Sequence, residues 1–251
     1  MRLKYRENMR TIFNREEYDV AIEGWSMSCG SYSTIQNLIP TNYVFNLTAD
    51  QLDWIKGKNQ YNKFCVEMGV YDDQLIIILA PLDSNGQKIP MNEYSYATLS
   101  ELETDLRLVE TEQYVLVKNA VLSRQLTKID DNSNMYFPIA NQPMMEQDKA
   151  LEAIESWRSQ AMVWFYKECD EFNGARIFRQ FFVPSQDLIP SKPGLTHIVC
   201  SFGLKFSDIY QRMLPTLIFI SFYADLENTG SIQTISNTYD WSQPCPPICN
   251  I

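Results

Sequence analysis

The sequence predicts an α+β fold made of two related halves, each with antiparallel β-hairpin strands and one or more packed helices. Three patterns lead to this prediction. Residues 64–80 alternate between apolar and other residues and then become continuously apolar, and residues 198–222 repeat that plan. Residues 149–171 place apolar side chains at helical spacing, which predicts the strongest helix of the chain.

The first hairpin pattern covers residues 64–80. Apolar residues alternate with others over 64–70, which is typical of a strand with one face in a core, and Glu67 falls on the outward face. The run 75–80 is continuously apolar, rich in β-branched residues and followed by Pro81. Its length and composition favour a strand that is buried on both faces.

The second hairpin pattern repeats the register of the first. When Gly203 is aligned with Gly69, the inward residues of the two stretches coincide, and Ser201 takes the outward place of Glu67. Because any two amphipathic hairpins share an alternating pattern, chance resemblance is the alternative to duplication.

Two further features bear on the second hairpin. The apolar run 217–220 is aligned with 75–78, and the additional residues between the strands, 205–215, predict a longer surface connection. Each hairpin also follows an aromatic strand end and a capped helical turn, with a capping box at Thr48 and Gln51 before the first hairpin. Elements repeated in the same order favour a tandem duplication.

This repeat suggests three segments. Residues 1–98 contain the N-terminal segment and the first repeat, residues 99–146 connect, and residues 147–251 hold the second repeat and a C-terminal tail. Within the connecting segment, residues 130–143 have the composition of a linker. The stretch 114–122 fits either a strand or a buried helical segment, and the sequence leaves this open.

The start of the chain carries weaker signals. Tyr18, Val20 and Ile22 alternate with polar or small residues, which predicts a strand, and the small and polar composition of 24–33 predicts a loop.

The C-terminus carries a distinctive motif, Cys245-Pro246-Pro247-Ile248-Cys249. Together with the order of aromatic strand, capped turn, alternating strand through a glycine and apolar strand, it resembles a group of small uncharacterised proteins of Bacteroidota bacteria. Those proteins commonly end in Cys-Pro-Pro-x-Cys. This chain departs from them by doubling the unit, and because the group has no assigned activity, the resemblance implies no functional residues.

Composition narrows the class of partner. The chain has a formal net charge of −10, and 45% of its residues are hydrophobic, which indicates a packed core. A strongly acidic protein is a poor binder of nucleic acid or of anionic membranes, because both attract basic surfaces. The opening residues are too charged for a signal peptide, and no apolar run has the length of a membrane span. We therefore expect a cytoplasmic protein, in which all six cysteines are free thiols.

No catalytic, cofactor or metal motif is present, so the sequence predicts no catalytic residues, no cofactor and no metal. The favoured function is a non-catalytic protein-interaction or structural module whose partner is another protein, with the oligomeric state left open. The alternative is an enzyme whose site forms between the repeats from His197, the only histidine, and scattered acidic residues such as Glu67 and Asp208.

The tail is the predicted interaction segment. Its Cys-Pro-Pro-Ile-Cys segment is expected to be extended and stiff, which disfavours a tight zinc knuckle. Docking of the tail on its own domain and recognition of another protein are both compatible with the sequence. The candidate residues are Trp241, Cys245, Pro246, Pro247 and Cys249.

Overall fold

The computed structural model describes residues 11–102, 114–117, 121–122, 128–129, 135–138, 147–185, 195–223, 234–239, 242–247 and 249. It confirms the α+β class, because helices pack on one large antiparallel sheet. The helices are α1 (Arg15–Ser28), α2 (Tyr32–Leu38), α3 (Ala49–Lys58) and α4 (Gln147–Phe172). The strands are β1 (Ile12–Asn14), β2 (Val44–Thr48), β3 (Lys63–Tyr71), β4 (Gln74–Ala80), β5 (Glu93–Ser100), β6 (Tyr114–Val117), β7 (Val121–Leu122), β8 (Lys128–Ile129), β9 (Met135–Pro138), β10 (Gln180–Pro184), β11 (Leu195–Ser207), β12 (Arg212–Tyr223), β13 (Thr234–Tyr239) and β14 (Gln243–Cys245).

One ten-stranded sheet has the order β13-β12-β11-β2-β5-β4-β3-β10-β14, with β1 also paired to β5. Strands β6 and β9 form a separate ribbon, and so do β7 and β8. Where it is described, the stretch that fitted either strand or helix is therefore strand. The predicted linker 130–143 also contains a strand, β9, and its other residues lie outside the described ranges.

Each hairpin pairs with the strand that precedes the other hairpin in the sequence. Strand β2 precedes the first hairpin in sequence but pairs with β11 of the second, where Phe45 lies opposite Cys200. Strand β10 precedes the second hairpin but pairs with β3 of the first, where Phe181 lies opposite Val66. Val66 and Cys200 are equivalent when Gly69 is aligned with Gly203. The two pairings, β10 with β3 and β2 with β11, therefore have the same register.

The last strands follow the same plan. Strand β5 pairs with both β4 and β2. At the C-terminus, β13 pairs with β12 and β14 pairs with β10, so this part of the chain occupies the places that β5 occupies in the first half. Residues 243–245 of the predicted tail are thus a strand of this chain's own sheet.

The pairing within the hairpins corrects one alignment. Gly69 lies opposite Ile76, and Gly203 lies opposite Thr216. The apolar run 217–220 therefore begins one residue after the position that matches Ile76, and it corresponds to the end of β4 rather than to its start. The alignment by apolar residues was shifted by two positions, which leaves the face of every side chain unchanged because strands have a period of two.

Helix α1 overturns the prediction of a strand near residue 20 and of a loop over 24–33. A capping box between Asn14 and Glu17 starts the helix. Tyr18, Ala21 and Trp25 are buried at helical spacing, so the apparent alternation was part of a period of 3.6 residues. The predicted helix 149–171 is confirmed as α4, and α3 begins at the predicted capping box.

Helices α1 and α4 meet the two hairpins in the same way. A methyl group placed on Gly69 would lie 3.1 Å from Cβ of Ala21, and one on Gly203 would lie 3.2 Å from Cβ of Ala153. Four residues beyond each alanine stands a buried tryptophan, and Trp157 stacks on Phe202 at 4.5 Å. The sequences around these contacts, AIEGW from residue 21 and AIESW from residue 153, differ at one position.

One central core contains residues of both hairpins. It contains Trp25, Trp157 and Phe178, together with the inward residues of both hairpins. Those residues are Phe64, Val66, Met68, Ile198, Cys200, Phe202 and Leu204. The inward positions predicted from the glycine alignment therefore face one common cluster.

Candidate functional site

The β11–β12 hairpin is longer than the β3–β4 hairpin, and its additional residues form a ribbon rather than the predicted loop. Pairing continues through Lys205 with Leu214 and Phe206 with Met213, and it ends at Ser207 with Arg212. A surface connection was predicted because insertions between strands usually form surface loops; the two strands instead continue their antiparallel pairing as far as Ser207 and Arg212. We call residues 205–212 the hairpin tip.

The base of the hairpin tip is held against α4. Nη1 of Arg212 lies 3.4 Å from Oε1 of Glu168, and Nη2 of Arg176 lies 3.0 Å from the same oxygen. Trp164 donates its indole N–H to the carbonyl of Met213 at 3.1 Å. These contacts fix the direction in which the ribbon leaves the body of the protein.

The carboxylate of Glu168 is almost fully buried at this junction. Burial raises its pKa, and the charges of Arg176 and Arg212 oppose that rise. Its Oε2 atom and Nε of Arg176 have no hydrogen-bond partner among the described residues. The junction therefore carries one buried carboxylate shared by two arginines.

Beyond this junction, the hairpin tip exposes apolar side chains. Ile209 is 86% exposed, Phe206 54% and Tyr210 39%. Turns usually hold Gly, Asn, Asp, Ser or Pro, so an isoleucine at the apex of a turn is unusual. Single exposed apolar residues are common, whereas large exposed apolar patches are associated with binding sites. Sequence reasoning missed this cluster, although Ile209 within the turn Asp208–Gln211 was a visible signal.

A second polar cluster lies beneath α1. The hydroxyl of Tyr18 donates to Oε2 of Glu67 at 2.6 Å, and Lys88 pairs with the other carboxylate oxygen. Tyr18 stacks on Tyr94 at 3.9 Å, and Arg15 donates to the hydroxyl of Tyr94 at 2.9 Å. Burial, and then the charge of Glu67, raise the pKa of Tyr18.

Glu67 thus lies on the predicted face of β3 but is buried, since α1 covers that face. Both of its oxygens have partners, which makes this cluster a satisfied structural ion pair. The second half lacks it: Ser201 stands in the place of Glu67.

The three residues of the predicted catalytic alternative are not brought together. His197 lies near the start of β11 and stacks on Phe222 at 4.6 Å. Asp208 lies in the turn after the other end of β11, roughly 35 Å away at the rise of an extended chain. Glu67 lies under α1 on β3, and β4, β5 and β2 separate β3 from β11.

Of the predicted tail residues, Trp241 lies outside the described ranges. Next to it, the hydroxyl of Ser242 accepts from the backbone N–H of Leu217 at 2.6 Å. Cys245 is buried, and its carbonyl accepts from the N–H of Arg179 at 2.7 Å. Pro246 and Pro247 are half-buried and Cys249 is exposed. The backbone of the tail thus pairs with this chain, while a role of its side chains in binding another protein stays a prediction.

The cysteines divide into two groups. Cys29, Cys65, Cys169 and Cys200 are free, as predicted. Cys245 and Cys249 form a disulfide, with Cα atoms 4.7 Å apart, which corrects the prediction that they are free. That prediction followed from the expected cytoplasmic location. The Pro-Pro-Ile segment was expected to be extended, whereas the bonds before Pro246 and Pro247 are both cis.

Among the described residues, no group of three His, Cys, Asp or Glu side chains is arranged to hold a metal ion. Within the same ranges, no helix is long and apolar enough to cross a membrane. No family model, no curated protein and no solved structure matches the chain.

Proposed function

We propose that this chain is a non-catalytic protein-interaction module that binds another protein through the hairpin tip. The observation that carries the proposal is the exposure of Ile209, with Phe206 and Tyr210 beside it, on a ribbon that is anchored at its base. Exposed apolar and aromatic side chains on a defined support are typical of binding hot spots.

The size of the apolar surface suits this role. Complete burial of an isoleucine or phenylalanine side chain contributes about 1.5–3 kcal/mol, and about 1.4 kcal/mol changes a dissociation constant tenfold. Loss of Ile209 from a buried contact is therefore expected to weaken binding about tenfold to a hundredfold.

The anchor at the base adds to the affinity. A ribbon whose direction is already fixed loses little conformational entropy when it binds. The ion pair of Arg212 with Glu168 and the hydrogen bond of Trp164 supply this fixation. Replacement of Arg212 is thus expected to weaken binding although its own side chain is mostly buried.

The test compares variants of the full chain in affinity capture from cells of the source organism. A partner captured by the wild type is identified by mass spectrometry, purified and titrated against each variant. The double variant Ile209→Ser with Phe206→Ser is expected to bind at least tenfold more weakly. Val20→Ser is the matched control, because Val20 is 64% exposed on α1, which packs mainly on β3.

Equal dissociation constants for the wild type and the hairpin-tip variant would contradict the proposal. So would an equal loss of affinity in the Val20 control, since that would point to a general effect of removing apolar surface. Failure of the wild type to capture any protein would contradict the interaction function itself.

The remaining expectations form part of the same proposal. The reciprocal strand exchange and the shared AIE-x-W contacts support two related halves that arose by duplication. Kinship with the Bacteroidota proteins, a cytoplasmic location and the lack of nucleic-acid binding rest on the sequence. Binding through the tail residues is a second candidate, supported by the exposure of Cys249 beside the half-buried Pro247.

A further inference from the structure

Two free cysteines, Cys29 and Cys169, lie next to each other where the ends of α1 and α4 pack together. Cys29 follows the last turn of α1, and Cys169 lies in the last turn of α4. Sγ of Cys169 lies 3.5 Å from the backbone oxygen of Cys29. The thiol of Cys29 is carried by the Cα atom next to that carbonyl group, and both cysteines pack on the central core.

The end of α4 is built closely around Cys29. The N–H of Gly174 bonds to the carbonyl of Glu168 at 3.0 Å, which closes the helix, and Gly174 has a positive φ of 69°. A methyl group on Gly174 would lie only 1.8 Å from the oxygen of Cys29. The glycine thus allows a close approach that keeps the two cysteines adjacent.

We propose that Cys29 and Cys169 are a redox pair that forms a reversible disulfide by exchange with a low-molecular-weight disulfide such as glutathione disulfide. The thiolate of Cys169 attacks one sulfur of glutathione disulfide, the S–S bond breaks, and one glutathione thiolate leaves. The thiolate of Cys29 then displaces the second glutathione from Cys169. The protein loses two thiol protons and two electrons, and one glutathione disulfide becomes two glutathione molecules.

Exposure assigns the order of the two steps. Cys169 is partly exposed and can meet the oxidant, whereas Cys29 is fully buried and can react only with its neighbour. Burial raises the pKa of Cys29 to about 12, and the nearby Arg179 opposes this rise, so the second step is expected to be slow. Cys65 and Cys200 are fully buried in strands and serve as internal controls.

The bond would join the helices of the two halves. Helix α1 covers β3 and α4 covers β11, so a cross-link at their ends restrains the packing of both on the shared core. Formation of this disulfide is thus expected to raise the melting temperature of the protein.

The experiment treats the folded full chain with glutathione disulfide, then blocks the remaining thiols with N-ethylmaleimide in denaturant at mildly acidic pH, and maps the disulfides after trypsin digestion without reduction. Cys29 falls on peptide 16–56 and Cys169 on peptide 168–176, while Cys65 and Cys200 fall on other peptides. We expect the two peptides to be linked, with Cys65 and Cys200 alkylated. We also expect oxidation to raise the melting temperature of the wild type. The same treatment is expected to leave the melting temperature of Cys169→Ser unchanged.

Recovery of peptide 168–176 only as the alkylated form or as the glutathione adduct would overturn the proposal. So would a link from Cys169 to any cysteine other than Cys29. Cys200→Ser is the matched control, and it must form the same linked peptide as the wild type if the pairing is specific.

Discussion

Replacing Gly203 with alanine tests the contact between α4 and the second hairpin. The added methyl would lie 2.7 Å from Cδ1 of Ile218, 3.0 Å from Cγ2 of Thr216 and 3.2 Å from Cβ of Ala153. Overpacking of this kind costs about 1–3 kcal/mol, and the lower entropy of an unfolded chain with alanine returns about 0.4–1 kcal/mol. We expect Gly203→Ala to lower the free energy of unfolding by about 1–2 kcal/mol.

A compensating change shows whether the close contact is the cause. Ile218→Val removes Cδ1, the nearest atom, and alone costs about 0.5–1.5 kcal/mol. In the Gly203→Ala background it is expected to cost less, because it relieves the clash. Gly69→Ala is the comparison, since its nearest contact is longer, at 3.1 Å, and its effect is expected to be smaller.

Urea denaturation followed by tryptophan fluorescence measures these differences, because Trp25 and Trp157 are both buried near the helix contacts. Strict additivity of the Gly203 and Ile218 substitutions would refute the steric explanation. An unchanged urea midpoint for Gly203→Ala would refute the close approach itself.

Three further predictions concern buried polar groups and the tail. Tyr18→Phe removes the donor to the buried Glu67 and is expected to cost about 1.5–3 kcal/mol in urea denaturation; an unchanged midpoint would contradict it. Cys249→Ser opens the short loop closed by Cys245 and is expected to cost about 2 kcal/mol by the chain-entropy relation, so equal stability would count against this bond. Because the pKa of Cys29 rises from 9.0 to about 12 on folding, the unfolded chain releases this proton first. Stability contributed by Cys29 is therefore complete below pH 9 and is lost as the pH rises towards 12, and Cys29→Ala is expected to show a shallower decline.

The hairpins were predictable because their signal is local. The alternation over 64–70 depends on one face of β3 lying in the core, and the glycine alignment identified the matching face of β11. Helix α1 was missed because Gly24 and the small residues after it resemble a loop in composition. Comparing AIEGW with AIESW in the predicted helix α4 would have revealed it, since both patterns place alanine and tryptophan four residues apart.

The exchange of β2 and β10 between the hairpins was not predictable from the sequence. Both strands are short and apolar, and an alternating pattern fixes the face of a strand but not its neighbour. The partner is set by contacts between distant parts of the chain, such as Phe45 opposite Cys200. The cluster around Glu67 was hidden for the same reason, because its donor Tyr18 belongs to the helix that was not recognised.

The two hairpins agree in register and in their helix contacts, so the positions at which they differ call for a separate explanation. Equivalent positions such as Gly69 and Gly203 are explained by core packing, which any stable fold of this kind requires. Glu67 differs from its counterpart Ser201, but its carboxylate is fully paired inside the protein, so stability accounts for it. The long β11–β12 hairpin also differs from its counterpart, and the exposed side chain of Ile209 at its apex contributes nothing to the core. Core packing therefore explains Gly69, Gly203 and Glu67 but not Ile209, and the proposed contact with a partner protein is what the hairpin-tip variants test.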